Sequence, residues 1–320
     1  MSLRFATSLS TKELPSLPTG YPYPCAELQS WKGVSFWLEP TDPRLWEIHH
    51  GHPAPTPPLE NLEGMIHYWK ENPEWMDFLD IDSPVYRDKQ IEKALYMDFW
   101  REYIHHTQKV LDIGGGVGRM AQIFLDKDCT VHIIDPDLRS LWRNISHIGD
   151  RGYIDVHWST VETMPDLGKF DVVVACEVFN YIENPVLAIE KIHQSLALDG
   201  IVLCSVEARW GWAMSRDVPE GCLDAFLETG IVHVPHDRWV RTYTEEQLRE
   251  LFTNHGFEII SLQPSHYSFS GPFEWIVGEN NDIDTVLQIE KKLRNHPIAQ
   301  NLNRAWMITA RKINNISHRK

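Results

Sequence analysis

The stretch that decides the fold is VLDIGGGVGRM, residues 110–120. An apolar run ends at Asp112, and glycines then follow at every second position: Gly114, Gly116 and Gly118. A helical pattern begins directly after them. Glycine accepts positive φ angles and lets a ligand approach the backbone closely. The pattern therefore predicts a strand, a tight turn and a helix that bind a ligand at the carboxyl end of the strand.

Short apolar runs alternate with helical patterns downstream of this turn. The runs KVLDIG, TVHIID, FDVVVACEV and GIVLCSVEA are continuously apolar, as expected of parallel strands that are covered on both faces. Helical patterns such as GRMAQIFLDK and NPVLAIEKIHQSLAL lie between them, and we expect the second to close at Asp199-Gly200. A capping box opens another helix at Thr244, and AWMITARK reads as the final strand. This order predicts an α/β fold with a doubly wound, mostly parallel sheet.

The strand after the glycine turn ends in a second acid, Asp135. A carboxylate at that place can accept hydrogen bonds from both hydroxyls of a ribose. The dinucleotide fingerprint G-x-G-x-x-G is absent, because the sixth position counted from Gly114 is Arg119. An acid directly ahead of the turn, Asp112, would repel a pyrophosphate but suits a cofactor with an amino group. The pattern thus favours a nucleoside cofactor that carries an amino group.

VLDIGGGVG resembles the cofactor loop of class I S-adenosylmethionine-dependent methyltransferases. The similarity extends to VHIIDPD, TVETMPDLGKFDVVVACEVFNYIENP, LDGIVLCSVE and TYTEEQLRELFTNHGFEI, and so to about residues 105–208 and 243–264. The resemblance implies a Rossmann-like methyltransferase fold with a seven-stranded sheet. It also implies S-adenosyl-L-methionine as cofactor and an in-line displacement at the sulfonium methyl.

The same resemblance implies a set of cofactor contacts. The methionine part would face Asp112 and the glycine backbone, and the ribose hydroxyls would face Asp135. The adenine would lie along Ser159–Glu162, where Thr160 stands in place of the acid found in many family members. Glu177 would line the cleft beside the sulfonium. The predicted cofactor-binding residues are Asp112, Gly114, Gly115, Gly116, Gly118, Asp135, Pro136, Thr160, Val161 and Glu177.

Residues that bind the methyl acceptor should lie in what the chain adds to this core. Residues 1–84 are rich in proline and tryptophan, and we expect an irregular extension that packs on the core or cleft. Residues 85–320 would form the methyltransferase domain, whose insertions 209–242 and 265–302 would form a lid over the substrate.

The lid carries the candidate acceptor-side groups. His233 and His236 are candidate general bases, because a neutral imidazole accepts a proton near neutral pH. The alternative for each of these histidine and aromatic side chains is ordinary packing or a place at the surface, which is the commoner role of such residues. The candidate acceptor-binding residues are Tyr86, Tyr181, Trp210 and Trp239.

The net charge of the chain and the absence of one motif exclude some classes of substrate. A net charge of −15 repels phosphate backbones, so nucleic acid is a poor candidate. The motif [DN]-P-P-[YF] of enzymes that methylate amino groups of adenine or glutamine is absent after the fourth strand of the core. We expect O-methylation of a small molecule. Methylation of a protein or peptide, other chemistry with the same cofactor, and a homo-oligomeric state stay open.

The remaining features concern compartment and metals. The sequence has no apolar signal-peptide core and no apolar run of about 18 residues, so we expect a cytoplasmic protein without membrane spans. The five cysteines form no C-x-x-C pair and are expected to be reduced. The cluster His49, His50 and His52 has no cysteine or aspartate partner nearby, so no metal site is expected.

Overall fold

The computed structural model describes a defined set of residues. They are 27–31, 34–38, 81, 86–136, 140, 141, 144, 153–214, 218, 221–233, 239–274, 282–297, 299 and 301–313. Among them, only the backbone is described for 27–31, 34–38, Tyr153, Trp158, His233 and Trp239.

The elements alternate between strands and helices along most of the described chain. The strands are β1 (Glu27–Trp31), β2 (Val34–Leu38), β3 (Lys109–Ile113), β4 (Thr130–Asp135), β5 (Tyr153–Trp158), β6 (Phe170–Cys176), β7 (Leu196–Glu207), β8 (Ile231–His233), β9 (Trp239–Arg241), β10 (Phe257–Ser265) and β11 (Ala305–Lys312). The helices are α1 (Tyr86–Trp100), α2 (Arg119–Leu125), α3 (Pro185–Ser195), α4 (Arg209–Ala213), α5 (Leu223–Glu228), α6 (Glu245–Asn254) and α7 (Ile283–Arg294).

The hydrogen-bonded strand order of the main sheet is β1-β2-β5-β4-β3-β6-β7-β11-β10. The pairs β2–β5, β5–β4 and β4–β3 are parallel, whereas β11 is antiparallel to both β7 and β10. The reversal of strand order on either side of β3 is the signature of a doubly wound sheet. The predicted fold class is therefore confirmed, with seven core strands and two more from the amino-terminal segment.

The prediction of an irregular amino-terminal segment was wrong at residues 27–38. β1 and β2 pair antiparallel as a hairpin, and β2 pairs parallel with β5, which extends the sheet. Proline excludes a strand only where it removes an amide donor. No proline lies between Pro24 and Pro40, so this stretch can join the ladder.

The predicted end of the helix NPVLAIEKIHQSLAL was also wrong. The helix α3 ends at Ser195, and β7 begins at Leu196, before the expected stop at Asp199-Gly200. The cause is a distant side chain: the Lys312 ammonium donates to the carbonyl oxygens of His193 and Leu196 at 2.7 and 2.8 Å. A cation at the last carbonyls stabilises a helix end there.

The described chain divides into two compact units. The first comprises residues 1–87 and 104–174, and the second comprises residues 88–103 and 175–320. The core of the first unit includes Val110, Leu111, Val131, Ile133, Ile154 and Phe170. The core of the second includes Tyr96, Trp100, Leu203, Phe252, Phe257 and Ile308.

Within the second unit, part of the insertion 209–242 has an apolar cluster of its own. It consists of Trp212, Phe226, Val232 and Val240, with Tyr181 packed against it. A side chain at Gly211 would collide with the Asn303 carbonyl, which shows how closely α4 approaches the chain ahead of β11. None of the helices among the described residues is both long and apolar enough to span a membrane.

Candidate functional site

The glycine turn in the first unit joins β3 to α2, as predicted. Gly114, Gly116 and Gly118 have φ angles of 63°, 51° and 99°, in the region that favours glycine. The Gly114 amide donates to the Ile134 carbonyl of β4 at 2.7 Å, and Gly118 donates to Gly115 at 2.9 Å. These bonds fix the turn at the carboxyl ends of two neighbouring parallel strands, which is where doubly wound sheets bind ligands.

Two glycines of the turn differ in what surrounds them. A Cβ added to Gly115 would lie 2.7 Å from Ile133 Cγ2 and 3.0 Å from Asp112 Oδ2, so Gly115 packs inward. Among the residues that the structure describes, a Cβ added to Gly116 would meet only the Gly114 carbonyl oxygen, at 4.0 Å. None of these residues therefore blocks the approach of a ligand to the Gly116 backbone.

Asp135, at the end of β4, faces this turn. Its Oδ2 accepts a hydrogen bond from the Gly116 amide at 2.8 Å, and the Asp135 carbonyl accepts one from the Ser159 amide. The Asn144 side chain, which is fully buried, donates to the Gly116 carbonyl at 3.0 Å. Sequence reasoning missed Asn144, because a single asparagine in a helical pattern gives no signal of such a contact.

Asp112 is the buried acid of the turn, with a side chain 2% exposed. Burial, and then repulsion from Asp135, raises the pKa of Asp112 to about 8. Among the described residues, its Oδ2 has no hydrogen-bond partner. A buried carboxyl in this condition gains from a cationic ligand, since an ammonium group would supply both a donor and a compensating charge.

The predicted adenine segment follows β5 in the first unit. The Thr160 hydroxyl lies 3.0 Å from the Thr163 hydroxyl and accepts from the Thr163 amide at 3.3 Å. Ser159 lies 3.1 Å from the same Thr163 hydroxyl, and Val161 is buried. The Thr160 side chain thus shapes the turn itself, and its contact with adenine stays a prediction.

In the second unit, Glu177 directly follows β6 with a φ of 59°. Its amide donates to both the carbonyl oxygen and the hydroxyl of Ser205, at 2.9 and 3.0 Å. A glutamate in the left-handed region is uncommon and costs about 1–3 kcal/mol. The Ser205 bonds hold it there, and such strained residues cluster at functional sites.

Glu177 belongs to a polar cluster, defined as Glu92, Glu177 and His266, that sequence reasoning missed. One ligand atom from each lies within 4.8 Å of the others. Glu92 and His266 are buried, at 4% and 2% exposed, and Glu177 is half-buried. The Lys89 ammonium pairs with Glu92 at 3.0 Å.

The Tyr96 phenol lies beside the cluster. It accepts a hydrogen bond from the Ser205 hydroxyl at 3.4 Å. Burial and the adjacent Glu177 carboxylate raise the pKa of Tyr96 well above its usual range. The phenol therefore keeps its proton at neutral pH and is not a base there.

The predicted acceptor-side residues lie in several places. Tyr86 is the half-buried first residue of α1, Tyr181 packs on the Trp212 cluster, and Trp210 is 44% exposed. His233 and Trp239 pair across β8 and β9, with only their backbones described. His236 and the metal candidates His49, His50 and His52 lie outside the described residues.

Comparison with known proteins identifies the family. A family model described as a methyltransferase domain matches residues 85–262, more than half of the chain. A ubiquinone biosynthesis O-methyltransferase from Rickettsia canadensis (strain McKiel) is 23% identical over 236 residues, which cover 73% of this chain and 95% of that protein.

Solved structures show the same fold. An S-adenosylmethionine-dependent methyltransferase from Mesorhizobium loti aligns with a TM-score of 0.51 and 15% identity, covering 69% of this chain and all of that chain. A putative S-adenosylmethionine-dependent methyltransferase from Listeria monocytogenes aligns with a TM-score of 0.52 and 16% identity, covering 69% of this chain and 99% of the other. The glycine turn, Asp135 and the family match agree: this chain belongs to the class I S-adenosylmethionine-dependent methyltransferases, and S-adenosyl-L-methionine is its cofactor.

Proposed function

We propose that this methyltransferase transfers the methyl group to a hydroxyl group of a small molecule. The observation that carries the proposal is the cluster of Glu92, Glu177 and His266, in which Glu92 and His266 are buried and Glu177 directly follows β6. The relative from Rickettsia canadensis, which is named an O-methyltransferase, supports it at 23% identity.

The cofactor binds at the glycine turn of the first unit in this proposal. Asp112 faces its ammonium group, Asp135 accepts hydrogen bonds from its ribose, and Gly116 lets it approach the backbone. The predicted contacts of Pro136 and Glu177 rest on the family resemblance. When bound, S-adenosyl-L-methionine supplies a methyl group on a positively charged sulfur, and this sulfur is the leaving group when an aligned nucleophile attacks the methyl carbon.

The cluster in the second unit then handles the acceptor's proton. A hydroxyl is a weak nucleophile until its O–H bond weakens, so a nearby base accelerates attack, typically by 10²–10⁴-fold. With the cofactor and an acceptor bound, His266 would take the proton of the acceptor hydroxyl, and Glu177 would stabilise the resulting imidazolium. Neutral amine acceptors attack without prior loss of a proton, which is why a base of this kind favours hydroxyls.

Lys89 and Tyr96 tune the cluster. The ion pair with Lys89 compensates the charge of Glu92, and Glu177 is the second carboxylate of the cluster. The neutral Tyr96 phenol orients Glu177 without competing for protons. We further propose that the insertions 209–242 and 265–302 cover the acceptor, because His266 itself lies in the second of them.

A test of this function uses the purified full chain with S-adenosyl-L-methionine and matched sets of phenols, carboxylic acids and amines. We expect S-adenosylhomocysteine to form with a hydroxyl acceptor. The variant His266→Gln should lower kcat by about 10²–10⁴-fold, with cofactor Kd changed less than about threefold. His106→Gln, at an exposed histidine that pairs with Asp128 at 3.8 Å, is the matched control.

Other outcomes would redirect the proposal. Turnover of amines alone would exclude O-methylation. Turnover of peptides without turnover of small acceptors would favour a protein substrate. Normal kcat in His266→Gln would remove that histidine as base and return His233 and His236 to first place.

A further inference from the structure

A second polar group lies in the first unit, away from the elements used above. His132 of β4 and Asp155 of β5 are direct partners across the parallel ladder, and His157 is two residues beyond Asp155. Residues two apart on a strand share a face of the sheet. His132, Asp155 and His157 therefore lie on one face, and one ligand atom from each lies within 4.8 Å of the others.

Their geometry is compact. His132 Nδ1 lies 3.6 Å from Asp155 Oδ2, and the two imidazole rings are parallel, with an interplanar angle of 5° and centroids 6.0 Å apart. Each histidine is less than one tenth exposed. Among the described residues, Nε2 of His157 has no hydrogen-bond partner. Buried imidazole nitrogens normally have partners, so this arrangement calls for a ligand.

Among the described residues, Lys109 and Phe170 lie next to this group. Lys109 lies over the Phe170 ring at 4.6 Å, and its ammonium donates to the Leu167 carbonyl at 3.4 Å. The Phe170 and His132 rings pack in a T-shaped arrangement, with ring centroids 5.0 Å apart. Lys109 disfavours a cation on this face, whereas the Asp155 carboxylate favours one.

We propose that His132, Asp155 and His157 bind one divalent transition-metal ion, with Zn²⁺ as the fitting choice. Two imidazole nitrogens and one carboxylate oxygen suit Zn²⁺ and Co²⁺, whereas Mg²⁺ and Ca²⁺ prefer oxygen ligands. Three protein ligands leave a position for water. This site goes beyond methyl transfer and departs from the expectation of no metal drawn from sequence.

The place of the site suggests a structural role. His132 lies on the same strand as Asp135, three residues before it. A metal bridging β4 and β5 would hold together the two strands from which Asp135 and Ser159 emerge. Metal binding should therefore raise thermal stability, and any effect on catalysis should come through cofactor affinity.

The test begins with the full chain treated with chelator and then dialysed. We expect one equivalent of Zn²⁺ to bind, measured by inductively coupled plasma mass spectrometry after desalting. Zn²⁺ in excess should raise Tm by about 5 °C, because ligands that bind only the folded state stabilise it. Co²⁺ should produce d–d absorption bands, and Mg²⁺ should change neither readout.

Variants assign the ion to these residues. His157→Gln and Asp155→Asn should each weaken Zn²⁺ binding at least tenfold and abolish the Tm rise. The Asp155 change is isosteric at a half-buried position, so it keeps the test valid if His157→Gln fails to fold. His106→Gln, His266→Gln and the triple change of His49, His50 and His52 to Gln should retain the metal.

Each other outcome counts against the site. No tight binding of Zn²⁺ by the wild-type chain overturns the proposal. Loss of the metal in His266→Gln, or in the triple variant, moves it to another group of residues. If both His157→Gln and Asp155→Asn still bind one equivalent of Zn²⁺ tightly, the metal likewise belongs to another group of residues.

Discussion

The glycine turn and the cluster of Glu92, Glu177 and His266 are built in opposite ways. The turn is contiguous and acts largely through its backbone, so each glycine is dictated by a φ angle or a close contact. The cluster comes from α1, the end of β6 and the segment after β10, and it acts only through side chains. Recognition by backbone leaves a pattern in the sequence, whereas a cluster of distant side chains leaves none.

The largest effect should come from filling the space beside the turn. In Gly116→Val, the side chain enters the open region beside the backbone and also disfavours the φ of 51°. We expect the Kd for S-adenosyl-L-methionine to rise at least about 100-fold, or roughly 2.7 kcal/mol, by calorimetry.

Gly115→Ala is the matched contrast for that change. Its Cβ would collide with Ile133 and Asp112, so we expect a loss of several degrees in Tm. Normal cofactor binding by Gly116→Val would show that this side of the turn does not face the cofactor. The glycine turn could then no longer be contrasted with the cluster as a site that binds through its backbone.

The next effect concerns the acid that bonds to the turn. Asp135→Ala removes the acceptor for the Gly116 amide and for the ribose hydroxyls. Hydrogen bonds to a charged acceptor are worth about 1.5–3 kcal/mol each, so the cofactor Kd should rise at least tenfold. Asp224→Ala, at an exposed position in α5, is the control. An unchanged Kd in folded Asp135→Ala would exclude Asp135 from the site.

The contrast explains which features could be predicted from sequence. The turn, Asp135 and the strand Ala305–Lys312 follow local rules of φ, apolar runs and strand ends, and the structure has them where expected. The early end of α3 could not be predicted, because Lys312 reaches its carbonyls from the far end of the chain. His266 escaped notice for the same reason, since only the fold brings it to Glu177.

A smaller effect tests the buried acid. The Asp112 pKa is about 8 in the folded chain, against an ordinary value of 3.8. At pH values between these two, the folded chain holds a proton that the unfolded chain has lost, so folding takes up a proton. The stability contributed by this group is complete below pH 3.8 and is lost as pH rises through 8. Without cofactor, Asp112→Asn should therefore raise Tm over wild type by at least about 2–4 °C at pH 8, and by less at pH 5.

The same variant should bind the cofactor more weakly, because asparagine offers no charge to an ammonium group. A gain in stability joined to a loss of binding is typical of functional sites. Asp224→Asn should show neither change. An equal Tm difference at pH 5 and pH 8 would contradict the raised pKa.

The smallest expected effects on kcat come from two helix caps, one on a helix that supports the cluster of Glu92, Glu177 and His266 and one on a helix that does not. Thr244 caps α6 through a capping box with Gln247, and Asp282 caps α7 by accepting from the Thr285 amide at 2.8 Å. Thr244→Ala should cost about 1 kcal/mol, with cofactor Kd and kcat unchanged.

Asp282→Ala should also lower Tm, but its effect should reach catalysis. The helix α7 carries Glu290, whose buried carboxylate accepts from the amides of Tyr267 and Ser268, the residues directly after His266. Fraying of α7 loosens that anchor, so kcat should fall a few-fold while cofactor Kd stays constant. Equal kcat in Thr244→Ala and Asp282→Ala would show that α7 does not position His266. The role of His266 as base would then rest on the His266→Gln result alone, and another element would have to hold the segment after β10 in place.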